Sequence, residues 1–489
     1  MRFNNRMNTL PVALGLAVGA LGSLSLAAAG PAAADVVEPF GKRYDASLYG
    51  DFTTVGNTVM GCPTAPADLA ARCATAATGH GGDNDDTFAM RRVDTASMAA
   101  GYGSSTGRVE IPAGAEVAYA RLFWGGNDGT YKGPGGAQLK RCNGSGTDVA
   151  PSPGDQATIA PRIRVGSGAE TEVSIDSMVT DPEETAGPHY YTGESDVTAA
   201  FAGVRGGATQ VAVGNVWAPS GKGCVAGWSL TVVYSYPGPE PTHAPDRRHV
   251  SVFGGHVLQH PTSPATTVTV DGFHRTAGRA RASVTAYEGD WNMPGDMFLV
   301  NGRNVTEART GNINNFFVGG AAGAVSPDSV GNLGIDVKAF DVPEGAIPEG
   351  ARSADLTFRT AGDAYVASAL AFSVPVRDPE STKPSPTPTP TPTPTQTRAA
   401  TVAVAPSWSP SPTPASPSPS PTEPATSPTP IPDPDPTTHQ ARPAAHGPGG
   451  SMAETGGNGE RLWLLGGLAL ALAATGVVAK AAMRSRRQP

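Results

Sequence analysis

The feature that most constrains this chain is a long segment rich in proline, serine and threonine, residues 379–450. Within it, residues 386–395 alternate strictly between proline and threonine. Such a segment cannot bury a core, and its prolines favour an extended polyproline II chain. At ~3.1 Å per residue, roughly 70 residues would reach on the order of 200 Å. We call this segment the stalk; the same composition also fits a disordered linker, and packed domains must be built elsewhere.

The chain after the stalk has three parts in a fixed order. The pentapeptide Met452-Ala453-Glu454-Thr455-Gly456 is followed by a short polar spacer and then by an apolar run, residues 462–479. An apolar run of about 18 residues is just long enough to span a bilayer as a helix. Basic side chains stay on the cytoplasmic side, so the preceding chain is expected to face outward. The basic side chains after the run are Lys480, Arg484, Arg486 and Arg487.

This order resembles a Gram-positive cell-wall sorting signal, and the pentapeptide resembles its LAXTG variant, with Met452 in place of leucine. Methionine and leucine have similar volumes, so an apolar pocket should accept either. The resemblance implies that a membrane sortase cuts between Thr455 and Gly456 and joins Thr455 to peptidoglycan. The expected partners are therefore sortase, peptidoglycan and, before cleavage, the membrane. The alternative is a plain membrane anchor in which the pentapeptide has no role.

Residues 1–34 are typical of a secretory signal peptide. Arg2 and Arg6 give a positive start, residues 10–29 are largely apolar, and residues 32–34 are three alanines that suit signal cleavage. We expect the mature chain to begin at Asp35 and to be exported to the cell wall or cell surface. An uncleaved N-terminal helix is the alternative.

Charge and cysteine content agree with an exported protein. The net charge is −8 and the exported part has no basic patch, so nucleic acid is not an expected partner. Four cysteines in an exported chain suggest two disulfides, for which three pairings are possible. We favour Cys62 with Cys73, which closes a short loop, and Cys142 with Cys224.

Between the signal peptide and the stalk, short runs of alternating hydrophobicity are separated by Gly, Pro, Asn and Asp. This pattern predicts a mostly β fold made of β-sandwiches. In residues 228–236 the apolar side chains alternate with Ser and Thr, which predicts a strand buried on one face. The alanine-rich residues 65–77 are the exception and fit a helix. Predicted strands are residues 116–124, 161–165, 209–213, 228–236, 266–270 and 354–358.

The same region contains an internal repeat. Three pairs of segments match in the same order and at nearly constant offsets, which predicts two tandem β-sandwich domains, residues 35–238 and 245–378. The matching pairs are residues 165–172 with 300–307, 196–201 with 336–340, and 224–230 with 365–370.

Several strings in this region also resemble a recurrent, uncharacterised ectodomain of bacterial surface proteins. The resemblance covers most of residues 35–377 and implies a fold, not an activity. The strings are residues 50–52, 56–58, 118–126, 227–234, 270–273 and 362–366.

An acidic loop is the best candidate for a binding site. Gly81-Gly82 leads into Asp83, Asn84, Asp85 and Asp86, which offer several hard oxygen ligands of the kind that Ca²⁺ prefers. The spacing does not match an EF-hand. Asn127 and Asp128 could add a ligand, although they also suit a turn. The alternative is a solvated acidic loop without a metal.

A second acidic group, Glu288-Gly-Asp290 with Trp291 and Asp296, has the paired carboxylates that a glycosidase needs. Tryptophans could form a sugar-stacking platform, although Trp in strands more often lies in the core. The chain lacks a nucleophile elbow, a zinc-ligand spacing and a phosphate-binding loop, so we do not expect an enzyme. The candidate stacking residues are Trp124, Trp217, Trp228 and Trp291.

Together these features predict an exported, wall-linked surface protein whose β-rich head, residues 35–377, binds an unknown glycan or protein and serves adhesion. Calcium is the one cofactor that the sequence suggests. An envelope carbohydrate hydrolase and a passive structural coat protein are the alternatives.

Overall fold

The computed structural model describes residues 35–99, 101–150, 154–328 and 330–377. The predicted signal peptide, the stalk and the sorting signal with its apolar run 462–479 lie outside these residues. Within the described part of the chain, no helix combines the length and the hydropathy that crossing a bilayer requires.

The prediction of a mostly β fold is confirmed. Each of the six predicted strands overlaps an observed strand, and the helix expected in residues 65–77 is α1, Ala67–Ala77. In the described residues, three short 3-10 helices cover Asp85–Thr87, Pro134–Gly136 and Thr198–Phe201. The strands are β1 Asp35–Thr58, β2 Met60–Gly61, β3 Ala89–Arg92, β4 Gly103–Ile111, β5 Glu116–Lys132, β6 Gln138–Leu139, β7 Arg162–Val165, β8 Thr171–Glu172, β9 Ser177–Thr180, β10 Gly187–Asp196, β11 Gly207–Val216, β12 Gly221–Lys222, β13 Ala226–Tyr236, β14 Arg248–Gln259, β15 Thr266–Asp271, β16 Arg281–Gly289, β17 Met297–Val300, β18 Arg303–Asn304, β19 Ala324–Ser326, β20 Gly334–Asp341, β21 Ser353–Arg359 and β22 Tyr365–Pro375.

Strand β1 links the two parts of the fold. Its first half pairs antiparallel with β14, and its second half, from Tyr49 onward, pairs antiparallel with β13. The largest sheet therefore runs β20-β16-β22-β14-β1-β13-β5-β10-β9, with β6 attached to β5. Strands from residues 35–238 and from residues 245–378 share this one sheet. The division into two tandem domains at this boundary stays a prediction.

Within the part of the chain that the structure describes, three smaller sheets accompany the large one. Their orders are β19-β4-β11-β7-β8, β15-β21-β17-β18 and β12-β3-β2. One large core joins side chains of β5 and β13 with side chains of β4 and β11. The other joins side chains of β16 and β22 with those of β15 and β21. Each core is thus built by one half of the large sheet and one smaller sheet.

The prediction that β13 is buried on one face is wrong. Ser229, Thr231 and Val233, on the predicted polar face, are all buried. A second layer covers them: Thr285 Oγ1 on β16 donates to Ser229 Oγ at 2.8 Å. Hydroxyl groups therefore satisfy one another between two strand layers, and their alternation with apolar residues resembles that of a solvent-facing strand.

Both favoured disulfide pairings are confirmed. Cys62 pairs with Cys73, with Cα atoms 5.5 Å apart, and Cys142 pairs with Cys224, with Cα atoms 5.0 Å apart. The first disulfide ties β2 to α1. The second joins the segment after β6 to the start of β13, and both lie close in sequence to residues of the acidic site described below.

The hydroxyl pair between β13 and β16 gives a test of the layer packing. Replacing Thr285 with Val keeps the shape but leaves Ser229 Oγ without its donor, so the free energy of unfolding should fall by about 1–2 kcal/mol. Thr285→Ser keeps the hydroxyl and serves as the control. Urea denaturation measures both, and a Val variant as stable as the original chain would contradict this packing.

Candidate metal centre

The acidic loop is shaped by two glycines and held against α1. Gly81 and Gly82 have φ of 88° and 69°, a left-handed conformation that favours glycine. After them Asp83 accepts two hydrogen bonds from Arg72 on α1, at 2.6 and 3.1 Å. The chain then enters the 3-10 helix Asp85–Thr87. Asp83 is thus paired with an arginine, at the outer side of the loop.

Asn84 fastens the loop to the segment that follows β16. Its Oδ1 accepts a hydrogen bond from the Trp291 backbone N–H at 2.9 Å, and its Nδ2 donates to Asn292 Oδ1 at 2.7 Å. Asn292 Nδ2 donates in turn to the Gly82 carbonyl at 2.9 Å. These hydrogen bonds join two stretches of chain whose bonded residues are 207 and 208 positions apart in the sequence.

This docking brings three carboxyl groups together. One oxygen from each of Asp85, Asp86 and Glu288 lies within 4.8 Å of the other two, an arrangement that can hold a metal ion. Asp85 has no exposed surface and Glu288 is 8% exposed, whereas Asp86 is half-buried. The group therefore lies inside the protein and reaches solvent on the Asp86 side.

Glu288 occupies an unusual backbone position. Its φ is 73°, and it lies at an irregularity in the pairing of β16 with β20, between Tyr287 and Gly289. A left-handed non-glycine residue costs on the order of 1–3 kcal/mol, and residues strained in this way cluster at functional sites. The carboxyl group of Glu288 also adjoins the hydroxyl of the buried Tyr190.

Burial is the main electrostatic influence on these carboxyl groups. It raises the pKa of Asp85 well above its usual range, and the neighbouring charge of Asp86 raises it further. Burial likewise raises the pKa of Glu288, with added contributions from Asp85 and Asp86. The low dielectric of the site disfavours the charged forms and strengthens the repulsion between them. A cation placed among the carboxylates would reverse both effects.

Asp86 is the member of the group with compensating neighbours. Burial raises its pKa, while a hydrogen bond from Asn143 Nδ2 and the charge of Lys222 act in the opposite direction. Asn143 follows Cys142, so the Cys142–Cys224 disulfide holds the donor in place. By contrast, neither side-chain oxygen of Asp85 has a hydrogen-bond partner on another residue in the described part of the chain.

Two further buried residues with oxygen donors, Asp290 and Asn315, belong to or bind the segment that follows Glu288. Asp290 is 5% exposed, and burial followed by the charge of Asp363 raises its pKa well above the usual range. Asn315, 3% exposed, donates through Nδ2 to the carbonyls of Asp290 and Trp291 at 3.2 and 2.9 Å. Its Oδ1 has no hydrogen-bond partner among the described residues. The site is therefore built entirely from oxygen donors.

The structure divides the four residues of the predicted calcium loop. Asp85 and Asp86 join Glu288, whereas Asp83 pairs with Arg72 and Asn84 binds Trp291 and Asn292. Asn127 and Asp128 use their side-chain oxygens for other hydrogen bonds. Asn127 Oδ1 accepts from the Val225 N–H and Asp128 Oδ1 accepts from the Thr130 N–H, so both serve local backbone structure.

The second acidic group of the sequence thus meets the first. Glu288 and Asp290 are buried, and Asp296 has no exposed surface. Burial raises the pKa of Asp296 well above its usual range. A small depression with a cavity volume of about 10 Å³ lies nearby and is lined by Asn84 and Trp291 among others, but not by Glu288 or Asp290. A glycosidase requires two carboxyl groups that face a substrate. Glu288, Asp290 and Asp296 do not have this arrangement, because all three are buried.

The proposed stacking platform of four tryptophans does not form. Trp124, Trp217 and Trp228 are buried in the first large core, at 1%, 5% and 0% exposure. Trp291 is half-buried beside the depression, with the Arg309 guanidinium 5.2 Å from its ring centroid. Of the four, Trp291 is the one placed to meet a ligand.

Two residues of the site were not predicted from the sequence. Asp363 falls in a string that we quoted for its resemblance to surface proteins, without a chemical role. Asn315 belongs to no motif. A buried amide oxygen is recognised by its surroundings, and no sequence signal identifies it.

Comparisons with known proteins leave the family open. No protein-family model matches the chain, and no curated protein matches it. Among solved structures, one titled "Recombinant peptide: N-glycanase F (PNGase F)" aligns with 66% of this chain and 95% of its own length, at 10% identity and a TM-score of 0.16. A TM-score this low supports no conclusion about fold or function.

The Asn84 contacts give a test of how the loop is held. Asn84→Ala removes the acceptor of the Trp291 amide, whose hydrogen exchange should become roughly tenfold faster, for a loss of about 1.4 kcal/mol. Asp83→Asn is the matched control, because Asp83 contacts Arg72 and not Trp291. Equal exchange in the Ala variant and the original chain would show that the loop is held by other means.

Proposed function

We propose that the chain is an exported, sortase-anchored cell-wall surface protein that displays its β-rich head for adhesion or ligand binding. The observation that carries the proposal is the placement of a disulfide-bonded β unit directly before the stalk. The last strand, β22, ends at Pro375, and the proline-rich stalk begins at residue 379. Two disulfides suit an oxidising, extracellular environment.

The proposed architecture of the head is two β-sandwiches that share strand β1. The two separate cores support this view, as does the internal repeat. The first pair of matching segments begins at Val165, the last residue of β7, and at Val300, the last residue of β17. Both strands belong to smaller sheets. The third pair of segments includes the start of β13 and the start of β22, both in the large sheet.

The surface around the partly exposed ring of Trp291 is the part of the head that best supports binding. An aromatic ring next to polar groups suits a sugar or a peptide side chain, because the ring offers apolar area while the neighbours accept or donate hydrogen bonds. Exposed apolar side chains belong to the same region of the sequence: Ile313 is 50% exposed and Val330 is 41% exposed. Arg309 Nη1 donates to the Val330 carbonyl and thereby connects Val330 with the Trp291 contact.

These features weigh between the alternatives. A passive coat component would be expected to present a flat polar head, and the depression with its half-buried tryptophan favours binding instead. A carbohydrate hydrolase would need accessible paired carboxyl groups, and Glu288 and Asp290 are buried. We therefore propose a binding protein and not an enzyme.

Binding is tested by screening the head against a panel of glycans and peptidoglycan fragments. Saturable binding is expected, and Trp291→Ala should weaken it roughly tenfold, which corresponds to about 1.4 kcal/mol. Arg205→Ala, an exposed arginine whose contacts are with residues 116, 202 and 204, is the control. Absence of binding to every member of the panel by the folded head would favour the coat alternative or a protein ligand.

Anchoring is tested by Thr455→Ala, which removes the residue that sortase would join to peptidoglycan. The variant should remain in the membrane fraction, while the original chain is released with muramidase-solubilised wall. Ser451→Ala, outside the pentapeptide, is the control and should stay wall-linked. Wall attachment of the Thr455 variant at the level of the control would exclude the sorting signal.

A further inference from the structure

We propose that Asp85, Asp86 and Glu288 together bind a calcium ion, which fastens the acidic loop to the end of β16. The site differs from the predicted loop site, because Asp83 and Asn84 are not ligands and Glu288 comes from the other half of the chain. The proposal does not rest on the proposed function of the head.

The spacing of the oxygens fits the ion. Ca²⁺ binds oxygen at 2.3–2.6 Å, so two ligands on opposite sides lie up to about 4.6–5.2 Å apart. Each of the three carboxyl groups offers an oxygen within 4.8 Å of the other two. This spacing is compatible with one calcium ion shared by the three groups. Mg²⁺ binds oxygen at 2.0–2.1 Å in near-ideal octahedral geometry and usually keeps several waters, so a site lined by protein oxygens suits Ca²⁺ better.

The unpartnered buried oxygens point to a ligand independently of the cluster. Asp85 has no exposed surface, and neither of its oxygens accepts a hydrogen bond from another described residue. An isolated buried carboxylate costs several kcal/mol, and native proteins offset this with a partner or a metal. Asn315 Oδ1 and Asp290 Oδ1 are also buried without partners among the described residues. Carboxylate and amide oxygens are the kinds of donor that Ca²⁺ prefers.

Charge balance supports a divalent ion. The charges that act most strongly on Asp85 and Glu288 are those of other carboxyl groups, while Lys222 acts on Asp86. The three ligand carboxylates would carry three negative charges, with Asp290 and Asp363 close enough to add to the field, so a divalent ion would act with Lys222 to offset most of this charge. The ligand set contains no histidine or cysteine, so hard cations such as calcium are preferred over zinc or copper.

The architecture gives the ion a route and a role. Asp86 is half-buried, so the ion can enter on that side. Asp85 and Asp86 belong to the loop before β3, in the first half of the chain. Glu288 belongs to β16, in the second half, and in the large sheet β16 and β13 lie on opposite sides of β1. A bound ion would therefore join the two parts of the head, in addition to the hydrogen bonds of Asn84.

The test uses the full-length chain in detergent, stripped with a chelator and titrated with CaCl₂ by calorimetry. Extracellular calcium modules have Kd of about 10⁻⁴–10⁻³ M, so the titration covers this range and below. One saturable equivalent is expected. Asp85→Asn and Glu288→Gln, each a neutral residue of the same shape, should weaken binding at least about tenfold. Asp83→Asn is the matched control and should bind calcium like the original chain.

Thermal unfolding of the same variants supplies a readout of opposite sign. Calcium should raise the Tm of the original chain and leave that of the Asp85→Asn chain unchanged. In chelator, Asp85→Asn should have a higher Tm than the original chain, because the neutral amide removes the repulsion between this group and the neighbouring carboxyl groups of Asp86 and Glu288. The gain in chelator also shows that the variant folds.

Three results would overturn the proposal. The first is no saturable calcium binding by the original chain. The second is binding that survives both Asp85→Asn and Glu288→Gln with unchanged affinity. The third is equal loss of affinity in Asp83→Asn, which would place the ion on the outer side of the loop.

Discussion

Repulsion among buried carboxylates is the physical constraint on which the site depends. Two unit charges no more than 4.8 Å apart repel each other by at least about 3.5 kcal/mol at an effective dielectric constant of ~20. Three such pairs, buried away from water, are comparable with the total stability of many domains. The fold can keep Asp85, Asp86 and Glu288 together only when positive charge or protons offset the repulsion. Calcium is the agent that also satisfies oxygens such as those of Asp85.

The fold assembles this group from distant parts of the chain. Strand β1 pairs with β14 along its first half and with β13 along its second half, so strands from both parts of the fold share one sheet. Hydroxyl pairs such as Thr285 with Ser229 close the layers between them. The Cys142–Cys224 disulfide then positions Asn143 beside Asp86. A binding surface next to Trp291 would be ordered by the contacts of the acidic loop, because the Trp291 backbone N–H donates to Asn84.

Much of the fold was predictable because local patterns decide it. Alternating hydrophobicity identified strands such as β5 and β13, and cysteine spacing suggested the observed disulfides. Both acidic groups were also recognised, one as a calcium loop and the other as a carboxylate pair. Their meeting was not predictable, because it depends on long-range pairing that no local pattern encodes. The burial of Ser229 and Thr231 was not predicted for a related reason. Alternating polar residues have the same sequence pattern whether they face water or the hydroxyl groups of another strand layer.

The central claim, a calcium ion shared by the loop and β16, is tested most directly by crystals of the protein grown with calcium and measured at a long X-ray wavelength. The account predicts one anomalous peak at about 2.3–2.6 Å from oxygens of Asp85, Asp86 and Glu288. Carboxyl groups hydrogen-bonded directly to one another, with no peak between them, would show that protons hold the cluster and would contradict the account. A peak bound by Asp83 in place of Glu288 would contradict it equally.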